Sequence, residues 1–242
     1  MKIKTLGTGG AINNGLPYNS FIINDDFLVE TPPDIMNSLF RENINRRKIS
    51  DIYISHFHAD HCFGLPFLLL RNFVDEYSSD IKISGPKGIE QKVREMCTLA
   101  FGAEHLMQDW IREHINYVEL KSNREININT RYRLTPIKMF HSPETYGFVL
   151  ECEGKKTVYI ADTYWKDSLI EYFRDADAVL IDLNGEETDT AKVHVSENDL
   201  EQYALPNLKN RDIKFYGTHL KTDKTSGNKN IQYLTPGDII EV

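Results

Sequence analysis

What the chain lacks sets the first limits. Nowhere do roughly 18 apolar residues run together, so no membrane-spanning helix is expected. Cysteine is scarce: Cys62, Cys97 and Cys152 are scattered and odd in number. They imply no disulfide framework, and a reducing cytoplasm is the expected compartment. Basic charge is in deficit, with a formal net charge of −8 over 242 residues. That argues against a broadly basic nucleic-acid-binding surface. It does not exclude a small phosphate ester, because bound dications would dominate the local field. The opening Met1-Lys2-Ile3-Lys4-Thr5-Leu6-Gly7 has no leader-like apolar segment and reads as a strand. No repeat and no low-complexity linker interrupts the chain. Hydrophobic residues at 40% and charged residues at 26% are ordinary for a globular protein. One domain over residues 1–242 is expected.

What the chain has is concentrated in Ser55-His56-Phe57-His58-Ala59-Asp60-His61, an H-x-H-x-D-H pattern. The apolar run Asp51-Ile52-Tyr53-Ile54 before it reads as a buried strand. Gly64-Leu65-Pro66 after it reads as a helix start with Pro in the first turn. The motif therefore stands at the carboxyl end of a strand, where α/β proteins commonly place sites. His56 and His58 lie two apart and can face one side of an extended turn, while Asp60 and His61 begin to curl towards another position. One tetrahedral zinc is poorly served by that arrangement; two adjacent metals, each needing further ligands, suit it better.

Further ligands should be polar residues that end apolar strands. Three are found: His141 after Pro136–Phe140, Asp162 after Val158–Ala161, and His219 after Lys214–Thr218. Any one alone would read as a turn residue, but with the first motif they give five histidines and two aspartates. Nitrogen and oxygen donors without thiolate point to two divalent ions, zinc first, with manganese or iron as alternatives.

Around these residues the pattern alternates hairpins with isolated helices. Strands are expected at Ile3–Leu6, Ser20–Asn24, Phe27–Glu30, Ile81–Ile83, Ile115–Leu120, Tyr132–Met139, Phe148–Cys152, Thr157–Ile160 and Ala178–Asp182, and a last one at Lys214–Gly217. Helices are expected at Asp34–Arg41, from Gly85-Pro86 to about Leu99, at Glu104–Glu113, at Asp167–Phe173, and from Ser196 to just before Pro206. The loop Gly7-Thr8-Gly9-Gly10 does not have dinucleotide-fingerprint spacing.

These residues resemble the metallo-β-lactamase superfamily, from Leu6-Gly7-Thr8-Gly9-Gly10 through H-x-H-x-D-H to His141, Asp162 and His219 in order. The resemblance implies an α/β fold, a four-layer αββα sandwich with a dimetal site at one edge of its sheets. It also implies that His56, His58 and His141 hold one metal, that Asp60, His61 and His219 hold the other, and that Asp162 bridges. Gly64-Leu65-Pro66, Ala161-Asp162-Thr163 and His194-Val195-Ser196-Glu197-Asn198-Asp199 look like the ribonuclease Z and phosphodiesterase branch. In that branch the residue matching His194 faces substrate phosphate. Pro33-Asp34-Ile35 is closer to a cyclic phosphodiesterase of phosphonate degradation. Two departures stand out. Ribonuclease Z carries a transfer-RNA-gripping arm between the segments matching His141 and Asp162, and here 20 residues separate them. Glu30-Thr31 stands where many relatives have Asp and a small residue.

The expected function is a dimetal hydrolase, a phosphodiesterase cleaving a small or cyclic nucleotide or sugar phosphodiester by attack of a metal-bridged hydroxide. Asp60 would orient the water. His194 would protonate the leaving alkoxide, helped by free N–H groups of the helix starting at Ser196. Transfer RNA is an unexpected partner, and a homodimer is open. The alternatives are a hydrolase of carbonyl esters, such as a thioesterase, lactonase or β-lactamase, and a binding protein that keeps the fold without catalysis. His105, His114 and Cys62 are expected to serve packing. The acidic loop Glu186, Glu187 and Asp189 and the basic run Arg41, Arg46, Arg47 and Lys48 are expected to be solvated.

Overall fold

A computed structural model describes residues 1–186, 192–208 and 212–242. Alternation within the short strands explains its layering. In Phe21-Ile22-Ile23 and Phe27-Leu28-Val29 every residue is buried. Phe21, Ile23, Phe27 and Val29 join one apolar cluster, and Ile22 and Leu28 join another. A strand apolar on both faces must be covered on both.

The first sheet contains β1 (Lys2–Gly7), β2 (Ser20–Ile23), β3 (Phe27–Val29), β4 (Asp51–Tyr53), β5 (Ile81–Gly85) and β6 (Ile115–Glu119). The second contains β7 (Ile126–Ile128), β8 (Tyr132–Lys138), β9 (Tyr146–Cys152), β10 (Lys155–Ile160), β11 (Ala178–Asp182), β12 (Lys214–Thr218) and β13 (Ile231–Tyr233). β14 (Ile239–Glu241) then returns to the first sheet and pairs antiparallel with β1. The strand orders are β14-β1-β2-β3-β4-β5-β6 and β13-β12-β11-β10-β9-β8-β7. Both sheets are mixed: β3 to β6 and β10 to β13 run parallel, whereas β1–β2–β3 and β7 to β10 are antiparallel.

Aromatic rings fill the seam between the sheets. Tyr53 meets Phe148 edge-on at 5.0 Å, and Phe21 meets Tyr159 at 5.1 Å. Each such pair adds about 1 kcal/mol to the gain from burial. The Tyr53 hydroxyl crosses the seam and donates to the carbonyls of Tyr146 and Gly147, each at 3.1 Å. Outside the first sheet lie α1 (Ile35–Arg41), α2 (Ala59–Cys62), α3 (Leu65–Val74), α4 (Ile89–Phe101) and α5 (Met107–His114). Their apolar residues close over Ile22, Leu28, Ile52 and Ile83. Outside the second sheet, α6 (Ile170–Phe173) and the segment opened by α7 (Glu197–Asp199) bring Phe173, Leu200, Ala204 and Leu208 into the cluster containing Phe215. This is the expected four-layer αββα sandwich. No helix among the described residues is long and apolar enough to cross a membrane.

Two expectations change. Lys214–Gly217 is not the last strand, since β13 and β14 follow it. These two and β7 are three residues each, too short for periodicity to show. The segment after α7 continues as a π-helical turn over Leu200–Ala204 and a 3₁₀ turn over Leu205–Leu208, so it runs through Pro206. Pro206 falls in the first turn of that new segment, where its missing N–H is tolerated. Of the acidic loop, Glu187 and Asp189 lie outside the described residues, and Glu186 is exposed as expected, pairing with Lys224 at 2.6 Å.

Candidate metal centre

The H-x-H-x-D-H segment leaves β4 and turns at once into α2. His58 is its N-cap, with φ −68° and ψ 149°, while Asp60 and His61 sit within the helical turn. This change of backbone separates the first two histidines from the next two ligand-type residues. Two bonds tie the turn down: Tyr146 N donates to the Ser55 carbonyl at 3.0 Å, and Ser55 N donates to Glu30 at 3.2 Å. His141 lies in the turn after β8, Asp162 directly follows Ala161 at the end of β10, and His219 directly follows β12.

All seven side chains converge. One group is His56, His58, His141 and Asp162, and another is Asp60, His61 and His219. Within each group the candidate donor atoms lie within 4.8 Å of one another. Asp162 stands centrally. Its Oδ1 is 3.4 Å from His61 Nε2, and its Oδ2 is 3.4 Å from His219 Nε2, 3.9 Å from His141 Nε2 and 4.0 Å from His56 Nε2. His56 Nε2, His61 Nε2 and Asp162 Oδ1 are buried and make no hydrogen bond. Three orphaned buried polar atoms facing a common centre are costly, and divalent ions would satisfy them all. The residues present therefore fit a pair of metal ions.

Burial raises the Asp60 and Asp162 pKa values, but the neighbouring His219 and His61 outweigh it and hold both carboxyls below the usual range. Burial opposes charge on His219 too, yet Asp162, Asp182 and Asp60 push its pKa up to about 10. Burial lowers the pKa of His56, with a further push from His61, and it lowers that of His141.

Buried polar contacts behind the cluster hold these groups in place. Glu30, fully buried, puts Oε1 3.4 Å from His61 Nδ1 and 3.3 Å from the donating Tyr159 hydroxyl. Asn19 Nδ2 donates to that hydroxyl at 3.2 Å, and Thr218 Oγ1 donates to Asn19 Oδ1 at 2.6 Å. The chain of bonds thus runs from the residue before His219 across the seam to His61. Glu30 (φ 64°) and His219 (φ 61°) are both left-handed, which costs about 1 kcal/mol or more each for a residue with a Cβ. Gly10 allows close approach to His219: a Cβ there would fall 2.9 Å from the imidazole Cε1.

His194 joins the rim of the cluster. Its ring lies 5.2 Å from that of His219 and 6.3 Å from that of His141. Its Nδ1 is 2.6 Å from Asp182 Oδ2. Asp182 is not among the expected site residues, although it ends the apolar run Ala178–Ile181 just as Asp162 and His219 end theirs. The same strand-end rule finds it. Of the helix-end N–H groups expected beside His194, two, those of Ser196 and Asp199, are taken up within the helix end itself. Ser196 and Asp199 close a capping box in which Ser196 N donates to Asp199 Oδ2 at 2.9 Å and Asp199 N donates to Ser196 Oγ at 3.2 Å.

The other candidates sit apart from the cluster chemistry. His105 packs on Phe73 and Phe101 and accepts from Met107 N, and His114 stacks on Trp110. Cys62 is buried, and burial pushes its thiol up to about 12. The basic run is taken up by carboxylates, with Arg41 on Glu42, Arg46 on Asp75 and Lys48 on Asp25.

This sandwich, with its histidine–aspartate cluster at the sheet edge, is that of the metallo-β-lactamase superfamily. Within it, a family model described as "Anti-Pycsar protein Apyc1" matches residues 1–236, and the chain belongs to that family. Among curated proteins it is similar to ribonuclease Z of Ligilactobacillus salivarius, 29% identical over 160 residues. That match covers 62% of this chain and 48% of the relative, so the chain spans about half the length of the curated relatives it matches. Among solved structures it resembles the short form of human tRNase Z, with a TM-score of 0.76 and 18% identity, covering 100% of this chain and 99% of the other. It also resembles a diphosphatase from the PhnP family, with a TM-score of 0.75 and 18% identity, covering 100% and 97%.

Proposed function

We propose that the chain is a dinuclear metal-dependent phosphodiesterase acting on a small or cyclic nucleotide or sugar phosphodiester. His56, His58 and His141 would hold one ion, Asp60, His61 and His219 the other, with Asp162 between them. Zinc is the first choice for this nitrogen and oxygen donor set, with manganese or iron as alternatives. When bound, such ions lower the pKa of water and draw charge from phosphate oxygens. Asp60 would also accept a hydrogen bond from the attacking water and orient it.

The observation that carries the reading is His194 held at the rim by Asp182. Its Nδ1 is engaged at 2.6 Å, which leaves Nε2 to hand a proton to the leaving alkoxide. A carbonyl-ester hydrolase needs the same cluster, and among the described residues none outside it favours attack at carbon. The connection between His141 and Asp162 supports a small substrate. β9 and β10 form a plain hairpin there, with Lys155 opposite Cys152, which leaves no place for a transfer-RNA-gripping arm. A small ester is therefore preferred to transfer RNA.

The deciding experiment offers the metal-loaded protein bis-p-nitrophenyl phosphate, a 2′,3′-cyclic nucleotide, a lactone and a thioester. Turnover of the phosphodiesters is expected. Turnover of the lactone or thioester with none of either phosphodiester would overturn the assignment.

A further inference from the structure

The hydrogen bonds behind the cluster pass from sheet to sheet. Thr218 ends β12 in the second sheet, Asn19 directly precedes β2 in the first, Tyr159 lies in β10 of the second, and Glu30 directly follows β3 of the first. The ends of this relay fix the direction of every bond. As a carboxylate, Glu30 can only accept, so the Tyr159 hydroxyl spends its proton there. That hydroxyl then accepts from Asn19 Nδ2, which turns the amide oxygen towards Thr218 Oγ1, the donor. Turning the amide over would set its oxygen against a hydroxyl oxygen whose proton is already committed. No member is more than 2% exposed, so bulk water does not compete for any of these bonds.

Both ends of the relay reach ligand-type histidines. Glu30 faces His61 Nδ1 at 3.4 Å, which makes that nitrogen the proton-bearing one. His61 Nε2 is left facing Asp60 and Asp162, each at 3.4 Å. At the other end Thr218 directly precedes His219, whose backbone is left-handed. Its far side is pinned where Leu220 N donates to the Thr8 carbonyl at 2.6 Å and Gly10 N donates to the Leu220 carbonyl at 2.9 Å. The rings of His61 and His219 stack at 5.2 Å. The relay reaches neither His58 nor His141.

We propose that Asn19 and Tyr159 are positioning residues for one ion of the pair, a proposal that rests on the dinuclear assignment above. Their relay fixes where His61, from the first sheet, stands relative to His219, from the second. It therefore governs the affinity for the ion that those two would share with Asp60 and spares the other. Partners that fix a histidine ligand are worth about 10–100-fold in metal affinity. Such a partner usually touches the ligand, whereas here the control is passed through the core. Tyr159 suits the role because its ring is clamped between Phe21 at 5.1 Å and Phe148 at 5.3 Å. Its hydroxyl cannot shift without the seam.

The test measures zinc content of the full chain by elemental analysis across a series of zinc-buffered solutions. Tyr159→Phe removes the hydroxyl and keeps the ring. The half-saturating zinc concentration of one equivalent should rise about tenfold or more, and that of the other should stay within about twofold. Asn19→Leu, close in volume, should weaken the same equivalent. The double variant should weaken it no further than the stronger single change, because both cut one chain of bonds. In a His219→Ala background, which removes a ligand of the affected ion, Tyr159→Phe should leave the remaining equivalent unchanged. In a His141→Ala background it should still weaken the remaining one. Equal weakening of both equivalents, no change in either, or losses that multiply in the double variant overturn the proposal. Selective weakening with no phosphodiester turnover by the wild-type protein would overturn the catalytic reading and leave the relay standing. Phosphodiester turnover with unaltered zinc affinity in Tyr159→Phe would do the reverse.

Discussion

One carboxylate serves two imidazoles: Asp182 Oδ2 lies 2.6 Å from His194 Nδ1, and Asp182 Oδ1 lies 3.5 Å from His219 Nδ1. Burial opposes charge on His194, but Asp182 outweighs it and raises its pKa above the ordinary 6.5. A raised value keeps the imidazolium to higher pH, so a step that needs the proton fades as pH climbs through that value. Asp182→Asn removes the stabilising charge, and the alkaline limb of the kcat profile should move to lower pH. Supporting partners of this kind are worth about 10–100-fold in activity. A pH–rate profile of the variant against bis-p-nitrophenyl phosphate checks both, and an unmoved alkaline limb would sever the link to His194.

His194→Ala should cut kcat by about 10²–10⁴, the usual worth of a positioned acid. Bound metal, measured by elemental analysis, should stay at the wild-type level. Loss of metal in step with activity would recast His194 as a ligand.

Glu30→Gln keeps the shape of the side chain but removes the charge 3.4 Å from His61 Nδ1. The metal held by Asp60, His61 and His219 should weaken by about 10–100-fold, whereas the other is spared. Competition with a chromophoric chelator, read as two separate binding steps, distinguishes this outcome from a uniform loss.

Stripping the metal should lower the melting temperature. A ligand at a hundredfold excess over its Kd stabilises by about 2.7 kcal/mol. For a chain of this size each kcal/mol shifts the midpoint by about 2–4 °C. A drop of about 5–10 °C on chelation, restored by added zinc, is the expected calorimetric result.

Much of this was legible in the residues. H-x-H-x-D-H announces itself because four donor-bearing side chains in six residues have few structural uses. His141, Asp162 and His219 are legible because each breaks an apolar run at its end. Asp182 obeys the same rule but is not singled out by it, since an acid ending a buried strand also reads as an ordinary turn start. Glu30 is a visible departure, but its approach to His61 depends on a left-handed φ that no local pattern announces. β7, β13 and β14 were hidden by length: three residues carry too little alternation to separate strand from loop. The relay through Asn19 and Tyr159 could not be read at all, because its members stand on different sheets, which only folding brings together.

The division of the cluster between the two sheets bears on how the protein is made. His56, His58, Asp60 and His61 leave the first sheet, whereas His141, Asp162 and His219 leave the second. No stretch of chain shorter than the span from His56 to His219 contains the full set. During synthesis the early histidines therefore wait, without their partners, until β12 has emerged and docked. Binding of a pair of ions by the full set would then be a late event with high contact order, possible only once the two halves of the sandwich have closed on each other.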